Sequence, residues 1–189
     1  MSFKVADISE WQAGINYDLL ARDFDGVILR AGVTLTAGDG SRKDKDAWFE
    51  RHYAELKKRK VKLGAYYYGC AETVTEAEAE GKYFLEVGKG KKVELPLYYD
   101  AEDNVHQAHL SSAELGEVIK TFCDTVEKAG YFIGVYSFAN WINHKIPREV
   151  SKRYALWVAH VGVTTPGISL PYGMWQWTWS KRVGNFEID

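Results

Sequence analysis

Hydrophobic and polar positions along the chain form short β-rich runs that alternate with helical patterns. Five strands are predicted from these runs, at KVADIS (4–9), GVILRAGV (26–33), KLGAYYYG (62–69), VELPLYYDAED (93–103) and YFIGVYSF (131–138). Helices are predicted between them, at NYDLLARD (16–23), AWFERHYAELKKRK (47–60), TEAEAEGKYFLEVG (75–88) and SSAELGEVIKTFCDTVEKAG (111–130). A regular alternation of strands and helices favours a parallel sheet that is covered by helices.

Residues typical of helix ends support these boundaries. Asp46 is predicted to be the N-cap of the second helix, after a polar loop at 36–46. Ser111 or Ser112 is predicted to lie near the cap of the fourth helix. Gly130 follows that helix, at the position where glycine accommodates a left-handed backbone.

The pattern changes after residue 138. The segment ANWINHK (139–145) predicts a short helical turn, and strand-like segments with only loops between them follow, at YALWVAHV (154–161), GMWQWTWS (173–180) and FEID (186–189). Five β/α units followed by three strands predict an irregular TIM-like barrel, (β/α)5β3, with an open doubly wound sheet as the alternative. No repeat or linker interrupts the sequence, so residues 1–189 are interpreted as one domain.

Acidic side chains fall where the predicted strands end. Asp7 lies late in the first strand, Asp100 and Glu102 end the fourth strand, and Asp189 ends the last one. Because strand side chains alternate between faces, Asp100 and Glu102 are expected to point the same way, about 7 Å apart. Closing a barrel makes the first and last strands neighbours. We therefore expect the four acids to meet at the carboxyl ends of the strands, where barrel enzymes have their active sites.

Crowded carboxylates favour one kind of chemistry. They cannot all ionise freely, so at least one is expected to stay protonated near neutral pH. A protonated carboxyl group beside ionised neighbours is what glycoside hydrolysis requires. The alternatives are a solvated acidic turn and a Mg²⁺ or Ca²⁺ site. The sequence has no HExxH motif, zinc-ligand spacing, P-loop or GxGxxG, and we expect neither a metal nor a cofactor.

Composition narrows the class of ligand. The 189 residues include 7 Trp and 12 Tyr, whose flat faces and polar edges suit stacking on sugars or bases. A formal net charge of −2 gives no electrostatic reason to expect nucleic acid or an anionic membrane, so sugars are favoured. Cys70 and Cys123 are expected to pack in the core. No run approaches the ~20 apolar residues of a membrane span and no signal peptide precedes the first strand, so synthesis in the cytoplasm is expected.

Several segments match, in order, the motifs of one known family. The opening DISEWQAGIN corresponds to a first-strand motif, VILRAG to a second strand, and DAWFERHYAELKKRKVKLGAYYY to a helix and third strand. LYYDAED carries an Asp-x-Glu pair, and GVYSF, LWVAHV and MWQWTWS match later strands. With these segments the chain resembles, over essentially its whole length, the glycoside hydrolase family 25 lysozymes, a muramidase type found in phage endolysins.

This resemblance implies cleavage of the β-1,4 bond between N-acetylmuramic acid and N-acetylglucosamine in peptidoglycan. It implies that Glu102 is the general acid, that Asp100 orients or stabilises the substrate, and that Asp7 lines the floor of the site. The family's fourth acid corresponds to Asp189 or Glu187, with Asp189 favoured. The resemblance further implies a monomeric catalytic domain that acts on the wall after release from a phage-infected bacterium, with a wall-binding module as its companion.

Aromatic and amide side chains near the strand ends are expected to bind the sugars. They are Tyr66, Tyr68, Tyr136, Trp157, Trp175, Gln176 and Trp177. Up to half of the aromatic ones are alternatively packing residues between barrel and helices, and Gln176 is alternatively an ordinary exposed amide. Three other functions stay open: a catalytically silent carbohydrate-binding barrel, a chitinase-like glycosidase, and a structural or interaction protein.

Overall fold

Seven parallel strands form the central sheet of the structure, a computed structural model that describes residues 3–38 and 41–189. In spatial order they are β1 (Val5–Ile8), β2 (Gly26–Thr36), β4 (Lys62–Tyr68), β5 (Leu97–Asp100), β6 (Ile133–Phe138), β7 (Ala155–Ala159) and β8 (Met174–Gln176). A short strand, β3 (Arg42–Lys45), pairs antiparallel with the end of β2. The helices are α1 (Tyr17–Asp23), α2 (Phe49–Lys58), α3 (Val74–Val87), α4 (Ser112–Lys128), α5 (Ala139–His144) and α6 (Arg148–Arg153).

The sheet curls into a barrel-like shape. Tyr66 on β4 and Trp157 on β7 are three strands apart, which in a flat sheet would separate them by about 14 Å. Their ring centroids are only 6.1 Å apart. The strands β9 (Lys181–Val183) and β10 (Phe186–Ile188) form a separate antiparallel hairpin. The hairpin lies against β1, where the Asp7 N–H donates to the Asp189 carbonyl oxygen over 3.1 Å.

The predicted irregular TIM-like barrel is confirmed, while four short elements were missed: a 3-10 helix at Glu10–Gln12, β3, α6 and β9. The segment 36–46, predicted as a loop, contains β3. All four residues of this strand are charged, and it pairs with β2 through its backbone, so no apolar pattern marks it in the sequence. The helix α6 and the strand β9 are short and mostly polar. The (β/α)5β3 strand count is not confirmed, because β10 pairs with β9 instead of extending the main sheet.

Alternation along the strands divides the core into two parts. Inward-facing side chains form a cluster inside the barrel, made of Ile28, Tyr98, Tyr136, Trp157 and Ala159. Outward-facing side chains pack under the helices, where Tyr99 of β5 and Phe122 of α4 have ring centroids 4.2 Å apart. Burial of each such side chain stabilises the fold by about 1.5–3 kcal/mol. Helices cover the outer face of the sheet, so a site can form only from the inner face, at one end of the barrel.

Helix ends follow local chemistry, with one correction. Ser111 caps α4 in a capping box with Glu114, and Gly130 follows this helix with φ of 88°. The cap predicted for α2 at Asp46 is wrong, because that helix begins two residues later than expected, after Trp48. The Asp46 carboxylate instead accepts hydrogen bonds from the Trp48 N–H, the Glu10 N–H and the Arg30 guanidinium.

None of the described helices is both long and apolar enough to cross a lipid bilayer.

Candidate active site

A cleft of about 200 Å³ opens at the carboxyl ends of the barrel strands. The structure brings the four predicted acids together in it, although they come from positions spread along the whole sequence. Its lining residues are Asp7, Ser9, Trp11, Gln12, Arg30, Tyr66, Tyr68, Asp100, Glu102, Tyr136, Trp157 and Asp189. The cleft is thus a carboxylate cluster walled by aromatic side chains.

The barrel fixes each acid by the backbone that carries it. Asp100 is the last residue of β5 and lies in register with Tyr68 of β4 and Tyr136 of β6. Glu102 follows two residues later, after the Ala101 N–H has donated to the Tyr136 carbonyl oxygen over 3.0 Å. Asp7 and Asp189 meet through their backbone hydrogen bond. Strand ends therefore position three of the four acids, and the C-terminal hairpin positions the fourth.

Burial raises the pKa of all four acids, and the charges of neighbouring acids add to the shift for Asp7, Asp100 and Glu102. Burial, followed by the charge of Asp189, raises the pKa of Asp7 well above its usual range. Burial, followed by the charges of Glu102 and Asp7, does the same for Asp100. Burial raises the pKa of Glu102 to about 7, although the Tyr136 hydroxyl counteracts part of the shift. Burial raises the pKa of Asp189 to about 6. A proton is thus retained in the cluster near neutral pH.

Several of these carboxyl groups have an oxygen without a hydrogen-bond partner among the described residues. One buried oxygen each of Asp7, Asp100 and Glu102 is in this state, as is the side-chain oxygen of Gln176. A buried polar atom left without a partner costs about 1–3 kcal/mol, so native proteins rarely keep several together. The unpartnered oxygens therefore lower the stability of the fold, which indicates that these carboxyl groups have a chemical role.

One cation faces the acids. The Arg30 side chain, 12% exposed, binds Asp46 through Nε over 2.8 Å and Glu10 through a terminal nitrogen over 2.5 Å. Its positive charge opposes the upward pKa shifts of Asp7 and Asp100. Arg30 thus limits the repulsion within the cluster without forming an ion pair with it in the structure.

The aromatic side chains predicted to bind sugars divide into two groups. Four of them line the cleft beside the acids, namely Tyr66, Tyr68, Tyr136 and Trp157. The last two of these are 8% and 5% exposed, so they present little more than an edge. Trp175, Gln176 and Trp177 instead line a second, larger groove of about 910 Å³, which shares Asp7, Trp157 and Asp189 with the cleft. The two cavities are therefore adjoining.

The segment around β8 shows three different side-chain environments. The Trp175 indole N–H donates to the His160 carbonyl oxygen over 2.9 Å, which fixes the ring. Trp177 is 59% exposed. Gln176 is 7% exposed and counteracts part of the pKa shift of Asp189, so the alternative of an ordinary exposed amide is wrong. Glu187 is exposed and lies outside both cavity linings, so Asp189 is the C-terminal acid in the cleft.

Four residues of the cleft were not predicted as site residues. Ser9, Trp11 and Gln12 lie just after β1, within the DISEWQ segment, and Arg30 lies on β2. Arg30 carried a usable signal, because a charged residue within an apolar strand needs buried partners. Trp11 carried none, since a tryptophan that is 74% exposed cannot be distinguished from a core tryptophan by sequence pattern.

Comparison with known proteins agrees with this geometry. The family model described as glycosyl hydrolases family 25 matches residues 6–186. The chain belongs to this family. Among known proteins, it is 25% identical to the autolytic lysozyme of Clostridium acetobutylicum, over 98% of this chain and 55% of that protein. It is also 25% identical to lysozyme M1 of Streptomyces globisporus, over 97% of this chain and 64% of that protein.

A family 25 structure shows the same fold. The bacterial lysozyme from Streptomyces coelicolor superposes with a TM-score of 0.82 at 23% identity, covering 100% of this chain and 90% of that chain. This identity supports the shared fold alone. The present chain spans 55% to 64% of the length of the two curated relatives.

Proposed function

We propose that this family 25 chain is a peptidoglycan hydrolase of the lysozyme type, a 1,4-β-N-acetylmuramidase. It would cleave the bond between N-acetylmuramic acid and N-acetylglucosamine in bacterial cell walls. The observation that carries the proposal is the cluster of four carboxyl groups with raised pKa, one buried and three partly buried, that line one cleft. Family membership and the names of the two curated relatives support it.

Glu102 is the general acid of the proposed mechanism. A general acid must be protonated when substrate binds and must ionise when the glycosidic oxygen departs, so its best pKa lies near the working pH. The pKa of Glu102 is raised to about 7, chiefly by burial, and meets this condition. Its proton would pass to the glycosidic oxygen, the bond from that oxygen to the anomeric carbon would break, and water would finally add to that carbon.

The other acids act on charge and position. Asp100 is proposed to orient the N-acetyl group of the substrate and to stabilise the positive charge that develops at the anomeric carbon. Asp7 forms the floor of the cleft, and Asp189 adds negative charge from the chain end. Because the charges of Asp189 and Asp103 repel the ionised form of Glu102, this repulsion arises when Glu102 passes its proton to the substrate.

The sugar chain would lie across the two adjoining cavities. Trp177, with more than half of its surface exposed, offers a ring face to a sugar in the larger groove. Tyr66 and Tyr68 are the corresponding side chains in the cleft. Glycan strands of peptidoglycan are the expected partner, and we propose that residues 1–189 form one catalytic domain that works as a monomer.

Product analysis tests the reaction class. Purified Gram-positive walls and chitin oligomers are digested in parallel, and new reducing ends are reduced with borohydride and identified. A muramidase yields reduced muramic acid from walls and far less product from chitin. Reduced glucosamine as the main new end, or faster cleavage of chitin, would favour the chitinase-like alternative. Binding to walls without any new reducing end would favour the silent carbohydrate-binding barrel.

A further inference from the structure

A second group of polar side chains lies beside the cleft without lining it. Among the described residues, the ligand atoms of Cys70, Asp103 and His106 all lie within 4.8 Å of one another. Cys70 follows the end of β4, and the other two follow the end of β5. Cys70 is 2% exposed and Asp103 is 8% exposed, while His106 is partly exposed. The proposed hydrolysis gives this group no role.

The donor set is that of a transition-metal site. A thiolate, an imidazole and a carboxylate bind Zn²⁺ at about 2.0–2.3 Å, and three such ligands with one open position form a common zinc geometry. Ligand atoms around a tetrahedral ion of that size are about 3.3–3.8 Å from each other. The three ligand atoms would therefore need to approach one another by about 1.5 Å at most. Mg²⁺ and Ca²⁺ prefer oxygen ligands alone, so they fit this set poorly.

Surrounding hydrogen bonds hold two of the three ligands. Glu72 Oε1 lies 3.1 Å from Nδ1 of His106, the carboxylate–histidine contact that orients the ring at many metal sites. Asp103 Oδ1 accepts the N–H groups of Val105 and His106, and Oδ2 accepts the Tyr68 hydroxyl over 2.9 Å. The carboxylate is thus fixed in direction, while its oxygens keep lone pairs for a metal ion.

The third ligand has to change its bonding. The Cys70 thiol donates to the Thr34 carbonyl oxygen over 3.0 Å. Metal ligation would replace this weak hydrogen bond with a bond from thiolate to metal, and the thiol proton would be released to solvent. No oxidant or other co-reactant is needed for this step.

We propose that Cys70, Asp103 and His106 form a Zn²⁺-binding site, with the fourth coordination position open to water on the partly exposed side of His106. The bound ion would join the loop after β4 to the loop after β5. These loops flank Tyr68 and Glu102, so the site is placed to stiffen one wall of the cleft. Sequence spacing gave no indication of this group, because Cys70 is separated by 33 positions from the nearest other proposed ligand.

Calorimetric titration with ZnCl₂ tests the proposal on the full chain, after dialysis against a chelator and with a thiol-free reductant present. Co²⁺ provides a second readout, because a thiolate–cobalt bond gives a near-ultraviolet charge-transfer band. The chain offers matched controls for two ligands. Cys70→Ser is compared with Cys123→Ser, which removes the other buried free cysteine. His106→Ala is compared with His109→Ala, three residues away.

Wild type and both control variants are expected to bind one Zn²⁺ and to show the cobalt band. Cys70→Ser and His106→Ala are expected to lose affinity at least about 100-fold, and Cys70→Ser to lose the band. Equal Zn²⁺ affinity in all five proteins would overturn the proposal, as would the absence of stoichiometric binding in wild type at micromolar concentrations. Circular dichroism confirms that each variant is folded, and the His106→Ala comparison holds if Cys70→Ser unfolds.

Discussion

Two glutamates of this chain, Glu80 in the core and the partly buried Glu102, differ in how their carboxylate oxygens are bonded. Burial raises the pKa of both Glu80 and Glu102 to about 7. Glu80, on α3 and 1% exposed, has both oxygens occupied: Oε1 accepts the Cys70 N–H and Oε2 accepts the Tyr99 hydroxyl. Glu102 lines the cleft, and its Oε2 has no partner among the described residues. A raised pKa is therefore common to both glutamates, whereas only Glu102 combines an unpartnered oxygen with a place in the lining of the cleft.

The same contrast separates Asp46 from Asp7 and Asp100. Asp46 has a fully buried side chain that is satisfied by Arg30 and two backbone N–H groups. Asp7 and Asp100 each keep an oxygen without a partner, and each faces another acid. Satisfied acids stabilise the fold, whereas unsatisfied ones destabilise it and remain available to a substrate.

The largest expected effect separates Glu102 from Glu80. Glu102→Gln keeps the shape of the side chain and removes the transferable proton, so wall hydrolysis should fall by about 10³-fold. Glu80→Gln, the matched control in the core, should leave the rate within a few-fold of wild type. The measurement is release of reducing ends from purified walls at equal concentrations of folded protein. Comparable losses of hydrolysis in the two variants would contradict the assignment of Glu102 as the general acid.

The pH dependence of hydrolysis is the next largest effect. A general acid works in its protonated form, and the pKa of Glu102 is raised to about 7, chiefly by burial. The value of kcat/KM should therefore fall as pH rises above 7, approaching tenfold per pH unit. Glu80→Gln should leave this profile in place. An activity that is flat between pH 6 and 9 would exclude Glu102 as the titrating acid.

Replacing aspartate with asparagine is expected to change the stability of the fold in opposite directions at Asp46 and at Asp100. Asp46→Asn should lower the free energy of unfolding by about 1–3 kcal/mol, because it weakens satisfied hydrogen bonds. Asp100→Asn should raise the melting temperature, while wall hydrolysis drops by about 10²-fold. Thermal unfolding of both variants is measured from pH 4 to 8.

The sign of the pH effect on Asp100→Asn follows from proton linkage. Burial raises the pKa of Asp100 in the folded state well above the ordinary value of 3.8. The folded state therefore holds a proton that the unfolded state releases above that pH, and the stability of wild type falls as pH rises. The gain from Asp100→Asn should thus grow with pH. A variant less stable than wild type at pH 8 would contradict this account.

The smallest expected effect distinguishes two tryptophans. Trp177 is largely exposed, and Trp177→Ala should raise KM about fivefold, on the order of 1 kcal/mol, with kcat little changed. The Trp175 indole N–H donates to the His160 carbonyl oxygen, and Trp175→Phe removes this hydrogen bond, so it should lower the melting temperature instead. Steady-state kinetics on soluble glycan fragments and thermal unfolding check the pair. An unchanged KM in Trp177→Ala would remove this residue from the sugar site.

Residue patterns predicted the barrel well because its elements are defined locally. Tyr66 and Tyr68, two residues apart on β4, were expected near the strand end, and both line the cleft. Strand-end position was enough to bring Asp7 and Asp100 into one site, because barrel closure leaves few other arrangements. The charged strand β3 could not be predicted, since its residues have no apolar face and its pairing is a backbone property.

The hydrogen-bond and ion-pair partners of individual side chains could not be predicted from the sequence. Asp46 had the spacing of a helix cap, and only the folded chain brings it to Arg30 and Glu10. Gln176 lies between two tryptophans in sequence, and only the folded chain shows that it is buried and interacts with Asp189. Local rules therefore located the acids, whereas tertiary contacts decide which acid stays unsatisfied.

The most direct test of this account is the titration of Glu102 itself. The side-chain carboxyl carbon of Glu102 is followed by NMR in protein labelled with ¹³C at glutamate, and its signal is assigned by its loss in Glu102→Gln. The account predicts a midpoint near pH 7 that coincides with the fall in wall hydrolysis. A midpoint near the ordinary glutamate value, with hydrolysis unaffected at that pH, would contradict it.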